Sequence, residues 1–234
     1  MIYFQPNLQI LPAAQRELWA QLAPVQELGY VLYGGTAIAL RLAHRQSVDF
    51  DFFSSHPVDP EELRRRLPFL LDSELVQQHK NTFEVKTDSG VKVSFFGGLS
   101  FGRIGEPELT DDGVMVVAAM NDLMATKLKV ILQRSELKDY QDIAAMIRAG
   151  VKLEPGLAAA EQMYRPNFSP IHSLKALVYF DDGDLTKLTR ADRDLLMAAT
   201  AKVKSLPDVK RTMKLDALPD NPDRNPKFKG PEMG

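Results

Sequence analysis

Five residues constrain this chain more than any others: Asp49-Phe50-Asp51-Phe52-Phe53, preceded by Val48. Acidic and large apolar side chains alternate there, which is the period of a β-strand. Residues two apart share a face, so Asp49, Asp51 and Phe53 point one way and Val48, Phe50 and Phe52 the other. The two carboxylates then stand roughly 6–7 Å apart at Cα, given a strand rise of about 3.3 Å per residue. Burying a carboxylate without a partner costs several kcal/mol, and two like charges side by side repel unless a cation lies between them. Oxygen-only ligands on a rigid strand suit Mg²⁺ or Mn²⁺, which keep several waters and accept phosphate oxygens. The competing reading is an edge strand with solvated aspartates. The apolar neighbours on the opposite face argue for a central strand.

Upstream, Tyr30–Tyr33 reads as a short strand running into Gly34 and Gly35, and TAIALRLAH continues as a helix. A glycine turn between strand and helix lets backbone N–H groups approach a phosphate, with the helix N-terminus adding a favourable dipole. A P-loop is excluded, because no Gly-Lys-Ser/Thr follows. A haloacid-dehalogenase-like phosphatase would carry its first aspartate at the end of an apolar strand, whereas HRQSV leads into Asp49.

Further elements follow from local pattern. Pro12–Leu28 carries Leu18, Leu22 and Val25 at helical spacing, and Pro60–Leu71 reads as a helix with Arg64, Arg65 and Arg66 on a basic face. TFEVKTDSGVKVSFF is a hairpin turning at Asp88-Ser89-Gly90. A strand near Gly113–Ala118 precedes a helix at Asn121–Gln133, capped by Asn121 or Asp122, and another helix runs from Lys138 to Ala149. From Glu154 onward the pattern is helical. The expected fold is α+β, a mixed sheet flanked by helices over residues 1–150, then a mainly helical region at 151–216. The last stretch, residues 217–234, holds four prolines and little apolar spacing and reads as a disordered tail.

Composition narrows the chemistry. The 234 residues carry a net charge of −2, so a nucleic-acid partner would have to meet a local basic patch. There is no cysteine, which excludes disulfides, thiolate metal sites and cysteine nucleophiles. No apolar run approaches the about 18 residues of a membrane span, and the expectation is a soluble, cytoplasmic protein.

A second charged cluster lies downstream. Leu123, Lys127 and Ile131 are four apart, placing Lys127 at the edge of an apolar stripe, and Asp139, Asp142, Ile143 and Met146 share one face of the next helix. Two readings stand side by side: the pairs Lys127–Asp142 and Arg134–Asp139 are structural, or Lys127 meets the phosphates of a nucleotide.

Taken together, GGTAIAL, HRQSVDFDFF, ATKLKVILQR and KDYQDI resemble, in order, the motifs of the AbiEii/AbiGii type nucleotidyltransferase family. These are toxins of abortive-infection and toxin–antitoxin systems within the DNA-polymerase-beta-like superfamily. The resemblance implies metal binding by Asp49 and Asp51 and a nucleotide-phosphate turn at Gly34, Gly35 and Thr36. It also implies a phosphate contact for Arg45 beside His44 and catalytic roles for Lys127 and Asp142. It implies an NTP substrate with Mg²⁺ or Mn²⁺, a tRNA or other RNA acceptor, and a cognate antitoxin. The wider superfamily often carries a third carboxylate on the strand after the paired aspartates; here that face carries Lys92 and Ser94. Glu84 or Asp142 is then left to supply the missing charge. A second reading is a nucleotidyltransferase-fold binding module without turnover.

Overall fold

The computed structural model describes residues 2–216. The tail expected at 217–234 lies outside the described residues. The fold is α+β. Eight strands form one mixed sheet in the order β1-β7-β8-β2-β3-β6-β5-β4. They are β1 (Tyr3–Phe4), β2 (Val31–Tyr33), β3 (Asp49–Phe53), β4 (Glu74–His79), β5 (Thr82–Lys86), β6 (Lys92–Phe96), β7 (Glu108–Thr110) and β8 (Val116–Val117).

The aspartate strand β3 lies inside the sheet, antiparallel to β2 and parallel to β6. Phe50 and Phe52 are fully buried, and Phe52 stacks on Phe95 of β6 at 5.3 Å between ring centroids. Trp19 tilts over Phe50 at 6.4 Å, closing this apolar face. Val48 departs from expectation. It is 58% exposed, because pairing starts at Asp49 and the chain before it has not yet joined the sheet.

Prolines divide two of the expected helices. The segment 12–28 forms α1 (Ala13–Trp19), a 3₁₀ turn at Ala20–Leu22 and α2 (Pro24–Glu27), since Pro24 has no N–H to continue the ladder. Leu18, Leu22 and Val25 are nonetheless all buried. The helix expected at 60–71 stops as α4 (Pro60–Arg66): Pro68 drives Leu67 out of the helical region, to φ −124° and ψ 84°, and a 3₁₀ turn follows.

The helix α3 (Gly34–Leu42) springs directly from β2 and ends at Ala43, whose φ of 49° is left-handed. Helix α5 (Met120–Val130) begins after Ala119 without a side-chain cap, so neither Asn121 nor Asp122 caps it. Asp122 instead turns inward and accepts the N–H groups of Ile104 and Gly105 at 3.1–3.3 Å. Helix α6 (Leu137–Arg148) carries the inward acidic stripe, and α7 (Leu153–Tyr164), α8 (Pro170–Ala176) and α9 (Arg190–Lys202) complete the chain's helices among the described residues.

Helix α7 lies against α5 at Gly156, where an added Cβ would fall 2.2 Å from Met124 Cγ. The segment after α9 returns to the sheet: Arg103 and Thr212 exchange backbone hydrogen bonds at 2.7 and 2.8 Å, and Leu215 N–H donates to Ser55 Oγ at 3.0 Å. Gly156→Leu is therefore expected to wedge α7 from α5 and cost about 1–3 kcal/mol. Thermal unfolding would read this as a melting temperature several degrees lower.

Candidate active site

Asp49, Asp51 and Phe53 do share one face, and strand register brings Lys92, Ser94 and Phe96 of β6 beside them. Register on the next strand sets Glu84 opposite Ser94. Asp51, Ser94 and Glu84 thus form a row across three strands. Ser94 is fully buried, and among the described residues its hydroxyl has no hydrogen-bond partner. Glu84 is buried too, and its Oε2 lies 3.3 Å from Lys92 Nζ.

The glycine turn closes on this face. Gly34 has φ +75°, and an added Cβ would fall 2.5 Å from Asp51 Oδ2, so both conformation and contact require glycine there. At Gly35 an added Cβ would fall 2.5 Å from Arg45 Nη2 and 2.9 Å from Ser47 Oγ. Thr36 is buried, and its hydroxyl donates to the backbone carbonyl of Asp49, which ties α3 to β3. No side chain caps the first turn of α3. This first turn, the positive end of the helix dipole, starts at Gly34 beside the Asp51 carboxylate.

Adjoining this face is a network of ion pairs around the fully buried carboxylates Asp139 and Asp142. Asp142, fully buried, receives Arg45 Nε at 2.6 Å and Nη2 at 2.8 Å, Lys127 Nζ at 2.6 Å, and faces His44 Nε2 at 2.7 Å. Lys127 also reaches Asp139 at 2.6 Å, and Arg134 Nε meets the same carboxylate at 2.9 Å. The left-handed turn at Ala43 points His44 and Arg45 back toward α6. Both expected pairs, Lys127–Asp142 and Arg134–Asp139, are present. Asp139, absent from the expected site set, belongs to this charged network, and the inward stripe of α6 was the signal that could have added it; Glu84, weighed as a stand-in for the missing acid, pairs with Lys92 on the aspartate face.

The two acidic layers are held in opposite electrostatic states. Burial, then the neighbouring Asp49 charge, pushes Asp51 up to about 6, with Lys92 and Lys127 opposing and Glu84 adding to the rise. Burial would also raise Asp142, but hydrogen bonds from His44 and Arg45 and the Lys127 charge hold it well below the usual carboxylate range. Asp142 is a satisfied anion, and Asp51 is a poorly satisfied one.

The arginine run of α4 does not converge on this face. Arg64 lies 4.8 Å over the Phe83 ring, Arg65 pairs with Glu62 and Arg66 with Glu27.

A family model described as nucleotidyl transferase AbiEii toxin, Type IV TA system, matches residues 18–215, which span every group just described. The chain belongs to the AbiEii nucleotidyl transferase toxin family. It is also 34% identical over 157 residues to an uncharacterized protein of Aquifex aeolicus (strain VF5), covering 65% of this chain and 74% of that protein. The AbiEii match therefore covers the sheet from β2 onward and the helices after residue 150. Among the described residues, no helix is long and apolar enough to cross a membrane.

Neutralising the two carboxylates should move stability in opposite directions. Asp51 has a folded-state pKa above its unfolded one, so its penalty is absent near pH 4 and grows as pH rises through about 6. Asp51→Asn is expected to raise stability at neutral pH by up to about 3 kcal/mol, at about 1.4 kcal/mol per pKa unit, and to change little near pH 4. Asp142 has a depressed pKa, so its contribution is present above the ordinary carboxylate range and is lost as pH falls below it. Asp142→Asn should lower stability by about 3–5 kcal/mol at neutral pH by leaving Lys127 and Arg45 short of a partner. Denaturant titration of both variants across pH tests the pair of signs.

Proposed function

We propose that this family member is a metal-dependent nucleotidyltransferase that transfers a nucleotide from an NTP to an acceptor, with tRNA or another RNA as the acceptor class. The observation that carries the reading is the Asp49–Asp51 face itself: two carboxylates, one of them poorly neutralised, beside an uncapped helix N-terminus. The donor set fits a divalent cation that takes oxygen ligands. Among the described residues no cluster of three or more acidic or histidine side chains makes a ready cage, so the nucleotide's own oxygens would complete the coordination. When bound, Mg²⁺ or Mn²⁺ supplies charge neutralisation at the triphosphate.

The protein's residues act around that centre. Asp49 and Asp51 hold the cation, and the N–H groups of Gly34 and Gly35 bind phosphate oxygens. Thr36 fixes the turn against β3 through the Asp49 carbonyl. Asp142 positions Lys127 and Arg45 as a cationic wall, whose field favours charge on the departing pyrophosphate. The acceptor hydroxyl bonds to the α-phosphorus as the bond to the bridging oxygen breaks, and its proton passes to a carboxylate of the face. In the cell this activity would be toxic, held in check by a cognate antitoxin in the cytoplasm.

The buried Ser94, standing where the superfamily often has an acid, favours a second reading: a nucleotide-binding module without turnover. Labelling separates the two. Purified protein incubated with each α-labelled NTP, Mg²⁺ and total RNA is expected to label RNA, and Asp49→Ala/Asp51→Ala to lower the yield by at least about 100-fold. Nucleotide binding without transfer to any acceptor would favour the module, and equal labelling by the double variant would remove the aspartates from the reaction.

A further inference from the structure

Lys127 does not present a free ammonium to a substrate. Its Nζ lies 2.6 Å from both Asp139 and Asp142, and its side chain is 7% exposed. A phosphate reaching it would have to displace a buried carboxylate, which is strongly unfavourable.

Lys92 is differently placed. Register sets it directly across from Asp49 on the parallel neighbour, so its side chain rises from the same face as both aspartates. Adjacent strands are about 4.8 Å apart, and a four-carbon stem spans that distance easily. The Lys92 side chain is 41% exposed, and Glu84 Oε2 holds it at 3.3 Å. The two residues are diagonal neighbours on β6 and β5, because Glu84 pairs with Ser94 and Lys92 with Lys86. The short Ser94 side chain leaves this diagonal open. An acid at 94 would stand between Lys92 and Glu84 and compete for the ammonium.

We propose that Lys92 is a substrate-contacting residue that binds the β- and γ-phosphates of the nucleoside triphosphate, with Glu84 as the positioning residue that holds its ammonium over the aspartate face. The inference rests on the nucleotidyltransferase reading above and adds a residue that it does not use. An ammonium has three N–H donors, so an accessible Lys92 can keep its contact with Glu84 and give its remaining donors to phosphate oxygens as charge-assisted hydrogen bonds. The same ammonium stays with the pyrophosphate as it departs. Glu84, in turn, supplies the acidic charge absent at Ser94 by orienting a cation.

The test is equilibrium binding of the α,β-methylene analogues of the four ribonucleoside triphosphates, and of the corresponding monophosphates, with Mg²⁺. It uses the full chain and the variants Lys92→Gln, Lys92→Arg, Glu84→Gln and Lys92→Gln/Glu84→Gln. Lys92→Gln is expected to weaken triphosphate binding about tenfold, the loss of about one charge-assisted contact, and to leave monophosphate binding unchanged. Lys92→Arg should retain binding within about threefold. Glu84→Gln should weaken triphosphate binding alone but add nothing in the Lys92→Gln background, a coupling that a purely structural Glu84 would not produce. Triphosphate binding by Lys92→Gln equal to that of the unaltered protein, or equal weakening for mono- and triphosphates, overturns the assignment and leaves the nucleotidyltransferase reading standing. Failure of the unaltered protein to bind any of the four triphosphates overturns both.

Discussion

The anchoring of Asp142 is the interaction on which the site depends. One fully buried carboxylate gathers Arg45 and His44 from the turn after α3 and Lys127 from α5, all within 2.8 Å. Two segments, the turn after α3 and helix α5, are thereby fixed to α6. The Arg45 guanidinium reaches its place by passing over Gly35, where a Cβ would fall 2.5 Å from Nη2. The same contact that satisfies Asp142 thus sets the glycine turn, and through Thr36 and the Asp49 carbonyl the turn is tied to the aspartate strand. A buried network of this kind is costly to break at any member, since each loss strands an opposite charge.

Against that satisfied layer, the Asp49–Asp51 face is held in an unfavourable state. Asp51 is half-buried beside a like charge, and Lys92 and Lys127 compensate it only in part. Such a pair destabilises the folded chain unless something binds to it. That a central strand retains it while the adjoining network is fully paired is the physical reason to read the face as a binding surface and the network as its support. The AbiEii family match places the whole arrangement in a nucleotidyltransferase toxin family.

Much of this was legible in the sequence because the deciding patterns are local. Alternation around Phe50 and Phe52 located β3, and helical spacing put Lys127, Asp139 and Asp142 on inward faces. Where the reading failed, local rules were overridden or gave no signal. Pro24 and Pro68 broke apolar stripes that were continuous in pattern but not in backbone. Strand β4 is exposed at every residue, so it has no inward and outward alternation to read. The two-residue β1 is held by its pairing to β7, a contact over a hundred positions away. The roles within the charged cluster were beyond any spacing argument. Whether Lys127 is enclosed or free depends on Asp139 and Asp142 meeting it from another helix, and whether Glu84 joins the site depends on strand register.

The central claim is that the aspartate face binds a divalent cation together with a nucleotide. The most direct measurement is the Mn²⁺ electron paramagnetic resonance signal during titration of the protein with an α,β-methylene nucleoside triphosphate. The account predicts that free Mn²⁺ falls on adding nucleotide and protein together well beyond what nucleotide alone removes, and that Asp49→Ala/Asp51→Ala abolishes the difference. An unchanged difference in the double variant, or none in the unaltered protein with any of the four nucleotides, would contradict it.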